Sequence, residues 1–179
     1  MKNFLKDFLG MSLYLLGILV LTFLVIQFVG QRTVVQGTSM ENTLMDGDNL
    51  IVDKLTYRFH EPNRYDVVVF PYQQGKDTYY IKRVIGVPGD SVYINEVGTI
   101  YINGDPLIEG FGREAILDPG IARDTIYLGA EEYFVLGDNR NASADSRDPS
   151  VGVVKRDSIV GRAWLRIYPF DSIGFIKHE

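Results

Sequence analysis

Thr78-Tyr79-Tyr80-Ile81-Lys82-Arg83-Val84-Ile85-Gly86-Val87, closed by Pro88-Gly89-Asp90, is one of the two longest strand-like runs in this chain. Its β-branched and aromatic residues predict a strand, and the Pro-Gly-Asp string predicts the turn that stops it. Successive side chains of a strand point to opposite faces. Tyr80, Lys82 and Val84 therefore share one face; Tyr79, Ile81, Arg83 and Ile85 share the other. Each face carries one cation among apolar neighbours, and periodicity does not say which face is the core.

Outward from this run the pattern repeats. Asn49 to Lys54, Tyr65 to Phe70, Thr125 to Leu128, Glu132 to Leu136 and Ser158 to Tyr168 read as further strands. Ser91 to Asn95 and Thr99 to Asn103 flank Glu96-Val97-Gly98 as a hairpin, and Asn103-Gly104 is a second turn signal. No amphipathic helical pattern separates the strands, so βαβ units are not expected. The expected fold is mainly β: an antiparallel β-sheet domain behind one N-terminal transmembrane helix. Residues 105–124 read as a loop, and Gly137 to Gly152 as a polar loop.

That helix is expected over Phe8 to Val29, 22 residues without a charged side chain. It would be roughly 33 Å long, against a hydrocarbon core of ~30 Å. A cleaved signal peptide has a shorter apolar core and a small-residue exit, whereas the exit here is Gln27-Phe28-Val29-Gly30-Gln31-Arg32. A buried core helix is the other alternative, but apolar residues surround the helix on all faces. Lys2, Lys6 and the α-amine precede the span and Arg32 alone closely follows it, which favours a cytoplasmic N-terminus. The expected organisation is a short cytoplasmic N-terminus (1–7), a transmembrane helix (8–29) and an extracytoplasmic domain (30–179) of a single-pass cell-membrane protein.

Composition narrows the function. At 179 residues the chain holds one anchor and one domain of about 150 residues, enough for a single core. The absence of cysteine excludes disulfides, thiolate zinc sites and thiol catalysis. The net charge of −5, with no run of like charge, makes a poor nucleic-acid binder.

Ser39, in Gly37-Thr38-Ser39-Met40, stands ten residues past the apolar span. A serine hydroxyl is a weak nucleophile until a base takes its proton. The two histidines, His60 and His178, lie outside any polar, Gly-rich context that would mark a base. Lys82 is the alternative, since burial lowers a lysine pKa and a neutral amine accepts a proton near neutral pH. Arg83 stays protonated and cannot serve. A cation guarding a strand edge is the competing reading of Lys82. The string Gly137-Asp138-Asn139-Arg140-Asn141-Ala142-Ser143-Ala144-Asp145-Ser146-Arg147 fails the EF-hand pattern in both registers, because Arg140 and Ala142, or Ala144 and Ser150, fall where ligands or glycine are required. A solvated surface loop is its other reading.

Taken together, these strings resemble the bacterial type I signal peptidases, in their short Gram-positive-type form. The likeness rests on five strings in order behind the anchor. They are Gly37-Thr38-Ser39-Met40 with Thr43-Leu44; Gly47-Asp48 with Asp53-Lys54; Arg64 with Asp66 to Phe70; Tyr80 to Gly86 with Pro88-Gly89-Asp90; and Gly137 to Arg140 with Ser143, Asp145 to Arg147 and Gly152. The resemblance implies a membrane-bound serine endopeptidase that removes signal peptides from secretory preproteins, with the lipid bilayer as its other partner and no cofactor or metal. It implies Ser39 as nucleophile, Lys82 as general base, Ser143 as the hydroxyl orienting the lysine amine, and Asp145 with Arg147 as an ion pair holding the loop. It also implies that the Ser39 backbone N–H serves the oxyanion hole, with Gly37 where some relatives carry a second hydroxyl donor. Two positions depart from the pattern: Asn42 stands where the family usually has Pro, and Tyr65 where it usually has Gly. Two readings from other classes compete: a catalytically silent, membrane-anchored module that recognises signal peptides, and a tethered β-domain for adhesion or scaffolding.

Overall fold

The computed structural model describes residues 2–28, 30–72 and 78–178. The uncharged segment is a single helix, α1 (Lys2–Phe28); Val29, the expected end of the span, lies outside the described residues. Every described side chain from Lys6 to Leu24 is exposed, and this stretch is long and apolar enough to cross a membrane. A helix apolar on all sides and buried by nothing is not a core element of the domain that follows it.

The rest is antiparallel β, as the sequence predicts. The strands are β1 (Gly30–Val34), β2 (Asn49–Asp53), β3 (Val67–Pro71), β4 (Tyr79–Gly86), β5 (Ser91–Ile94), β6 (Ile100–Ile102), β7 (Asp105–Pro106), β8 (Ile126–Tyr127), β9 (Glu132–Leu136), β10 (Val154–Lys155), β11 (Gly161–Tyr168) and β12 (Gly174–Phe175). The larger sheet has the order β1-β2-β11-β3-β4-β9-β10, with β12 on β11, and the smaller has the order β7-β6-β5-β8. Asn103 and Gly104 sit at φ 56° and 89° between the paired Ile102 and Asp105, the left-handed geometry a two-residue hairpin turn requires.

Strand β4 is interior, with β3 on one side and β9 on the other, and from Lys82 to Gly86 it is buried on both faces. On one face Val84 packs with Val68, Phe70, Tyr133 and Val135. On the other, Ile85 packs with Val92, Ile94, Ile102, Phe134 and Leu136, joining the smaller sheet to the larger. Each such side chain contributes about 1.5–3 kcal/mol when fully buried. A third cluster, around Met40, Leu44, Leu50, Val67 and Ile176, seats the Ser39 turn on the larger sheet.

Three sequence expectations need correction. The strand expected from Tyr65 begins at Val67, because Tyr65 takes φ 73° and Asp66 turns its carboxylate back to the Asn63 N–H. The strand expected from Ser158 begins at Gly161, since Arg156–Ser158 forms a 3-10 turn. Strands β1, β7, β10 and β12 are additional, and β7 opens the stretch 105–124 that the sequence reads as a loop. β1 is a polar edge strand without alternation, and two-residue strands carry no period to read.

Candidate active site

The Ser39 turn is one helical turn closed by Glu41 N–H to Thr38 O (3.1 Å) and Leu44 N–H to Met40 O (2.8 Å). Buried Met40 and Leu44 hold it from below, and Ser39 remains partly exposed above. Strand β4 carries Lys82 to it: Nζ lies 2.9 Å from Ser39 Oγ and 3.0 Å from Ile81 O. The Lys82 side chain belongs to the buried face, 4.8 Å from the centre of the Tyr80 ring. Burial lowers its pKa to about 8, against the opposing pull of the Asp145 and Asp138 carboxylates. Lys82 is therefore not a solvated edge cation. At neutral pH a usable fraction is the free amine, and the two carboxylates favour the ammonium once it forms.

The loop from Gly137 is not a solvated surface loop either. Asp138, Asn139, Arg140, Asp145, Ser146 and Arg147 are all buried. Asp145 and Arg147 form a bidentate pair at 2.8 and 2.9 Å, and Asp145 Oδ2 also accepts the Gly137 N–H at 3.0 Å. Asn139 grips the Ser39 turn, its N–H on Ser39 O and its amide on Thr38 O, both at 3.1 Å. Gly137 lies where a Cβ would fall 2.3 Å from Ser143 Oγ and 2.4 Å from Ser39 O, so only glycine lets these groups close together. Ser143 Oγ is buried and without a hydrogen-bond partner among the described residues, so no hydrogen bond joins it to Lys82. The Ser39 N–H likewise meets no acceptor among them.

Sequence reasoning gave Arg83 and Asp138 no role. They form a fully buried bidentate pair, Nε to Oδ1 at 2.9 Å and Nη2 to Oδ2 at 2.8 Å. Arg83 also donates to Tyr65 O (2.8 Å), Lys177 O (2.9 Å) and Thr43 Oγ1 (3.1 Å), and Thr43 donates to Asp138 at 2.5 Å. One guanidinium thus ties together the Ser39 turn, the lysine strand, the loop and the C-terminal segment. Two cations on opposite faces of one strand were visible in the sequence, but not that both faces are covered.

A groove of about 860 Å³ runs past Ser39 and Lys82, lined also by Thr33, Gln36, Tyr79 and Ala142. β1 is an edge strand, and β9 pairs with β4 only from Arg83 onward, so no strand among the described residues pairs with Tyr79 to Lys82 on that side. A groove between two strand edges accepts an extended peptide. Among the described residues no cluster of acidic and histidine side chains could hold a metal ion.

Residues 8–168 match the family described as signal peptidase, peptidase S26. A probable signal peptidase I-2 of Synechocystis sp. is 35% identical over 142 residues, 76% of this chain and 62% of that protein. A signal peptidase I of Leptolyngbya laminosa is 39% identical over 139 residues, 74% of this chain and 66% of that protein. This chain thus spans a little under two thirds of the length of both. A signal peptidase I of Bacillus caldolyticus is 39% identical over 148 residues, 74% of this chain and 76% of that protein.

Proposed function

The chain belongs to the signal peptidase family, peptidase S26, and from that premise we propose that it is a membrane-anchored serine endopeptidase that removes signal peptides from secretory preproteins by a Ser39–Lys82 dyad. The observation that carries the reading is the 2.9 Å approach of a buried, pKa-lowered lysine amine to a serine hydroxyl beside a peptide-wide groove.

The chemistry is acyl transfer in two steps. Ser39 Oγ attacks the carbonyl at the end of the signal peptide while neutral Lys82 takes the hydroxyl proton. The unengaged Ser39 N–H donates to the developing oxyanion. The lysinium then protonates the leaving amine, which departs as the new N-terminus of the mature protein. Water gives a proton to Lys82 and attacks the ester; as the ester bond breaks the lysinium returns that proton to Ser39 Oγ, releasing the signal peptide's carboxyl group and restoring both Ser39 and the free amine. Ser143, whose Oγ is buried and unpartnered among the described residues, is the hydroxyl that orients the lysine amine in this reading, and Asp145 with Arg147 fixes its loop. The substrate adds as a strand between the edges of β1 and β4, with small residues fitting against Ala142 and Ala144.

The anchor is α1, crossing the bilayer with its N-terminus cytoplasmic and residues 30–179 outside. Exposed Phe59, Trp164 and Phe175 near Gly30, where the domain leaves the helix, favour a domain lying close to the lipid surface. The direct test is cleavage of a purified preprotein by the full chain. Ser39→Ala and Lys82→Ala are both expected to be inactive with an unchanged circular dichroism spectrum. A Lys82→Ala protein that cleaves at the parental rate sinks the dyad.

A further inference from the structure

The segment between β7 and β8 has no part in the chemistry above, yet it touches every element that builds the dyad. Asn42 Nδ2 donates to Phe111 O at 3.0 Å, and Arg113 pairs with Glu41 at 2.5 Å, so two successive residues of the Ser39 turn are held from this one segment. The Phe111 ring lies 3.7 Å over the Arg83 guanidinium and 5.3 Å from the Tyr65 ring, closing the open side of the Arg83–Asp138 pair. Arg113 N–H donates to Asp138 O at 2.8 Å, and Glu109 pairs with buried Arg140 at 2.8 Å. Asn42 itself sits at φ 101°. Proline, fixed near −65°, cannot adopt that conformation, whereas asparagine tolerates it and brings a donor.

We propose that residues 109–113 brace the Ser39 turn against the lysine strand, with Asn42, Phe111 and Arg113 as positioning residues for the proton transfer. This rests on the Ser39–Lys82 reading. The turn is seated from below by the core, and the brace fixes it from above, so that Ser39 Oγ stays within reach of Lys82 Nζ. A displacement of about 1 Å at a reacting centre can cost on the order of a hundredfold in rate. The Arg113–Glu41 pair is half-exposed on its arginine side, and such pairs contribute about 0–1 kcal/mol to folding. Its loss therefore moves rate without moving global stability.

The test uses the full chain, a signal-peptide-bearing preprotein and single-turnover kinetics. Asn42→Gly accepts the φ of this position and removes only the donor. Arg113→Glu and Glu41→Arg each break the pair, and the double exchange restores it. Each single variant is expected to lose about tenfold or more in the acylation rate, with KM within twofold and an unchanged melting temperature. The double exchange is expected to recover most of the loss. Parental rates in Asn42→Gly and Arg113→Glu, with Ser39→Ala inactive, overturn the brace and leave the dyad standing. A rise in KM at constant rate also overturns it, since the segment would then be a substrate contact. Parental activity in Ser39→Ala removes the premise and the brace with it.

Discussion

At the scale of single residues, Lys82 connects activity to stability. Its pKa, lowered to about 8 by burial against the pull of Asp145 and Asp138, sets the pH dependence of the proposed reaction. Below that value kcat/KM should rise about tenfold per pH unit and then level off, if acylation limits the rate. A flat profile through pH 7 to 10 would speak against lysine as base. Stability follows the same proton. Between pH 8 and 10.5 the unfolded chain binds a proton that the folded chain does not, so stability rises with pH across this window. Below pH 8 both states carry the proton, and the full penalty of burying the charge remains, about 3 kcal/mol. Lys82→Met should therefore be more stable than the parent at pH 7 by up to about 3 kcal/mol, with the difference vanishing near pH 10.5. Urea titrations at several pH values measure it; a gain independent of pH would mean that packing, not charge, is responsible. Asn42 gives a second case. Restoring the family's usual proline there should destabilise by more than about 1 kcal/mol, because φ 101° is closed to it.

At the scale of elements, the Ser39 turn and the loop from Gly137 close against each other across a gap that glycine alone leaves open. Gly137→Ala should cost about 1–3 kcal/mol by overpacking and at least about a hundredfold in cleavage, since its Cβ would drive Ser39 and Ser143 apart. A near-parental rate in that variant would mean the turn can shift without loss. Much of this arrangement was legible beforehand. Period-two alternation located β4 and put Lys82 and Arg83 on opposite faces, and the resemblance attached roles to Ser39, Lys82 and Ser143. The burial of the loop was not legible, because a string rich in Asp, Asn, Arg and Ser reads as solvent-facing. It becomes an interior element only through partners far away in sequence, as when Arg83 meets Asp138 55 positions on. Left-handed backbone at Tyr65 was signalled only by the family's preference for glycine there, and at Asn42 not at all.

At the scale of the whole molecule, the C-terminal segment returns to the centre. Ile176 enters the core under the Ser39 turn, Lys177 O accepts from Arg83, and His178 Nδ1 accepts the Val67 N–H at 3.2 Å. Burial and the adjacent Arg162 push the His178 pKa down to about 4, with Asp66 pulling the other way. An unfolded histidine titrates near 6.5, so between pH 6.5 and 4 the unfolded state holds the extra proton and stability falls as the pH falls. His178→Gln should flatten this acid limb in unfolding measurements while leaving the pH dependence above pH 7 as it is in the parent. An unchanged limb would assign the loss to other groups.

The contacts that assemble the site around Lys82 join residues 43, 94 and 95 positions apart, from Ser39–Lys82 to Arg83–Lys177 and Thr43–Asp138. Such distant pairings are slow to form, because loop closure must precede any reward from contact. Until they form, Lys82 is an ordinary exposed lysine, protonated at neutral pH, and Ser39 is an ordinary hydroxyl. In the proposed dyad, reactivity thus waits on these distant pairings. Under the proposed mechanism, a half-folded copy is therefore chemically inert toward the polypeptides around it.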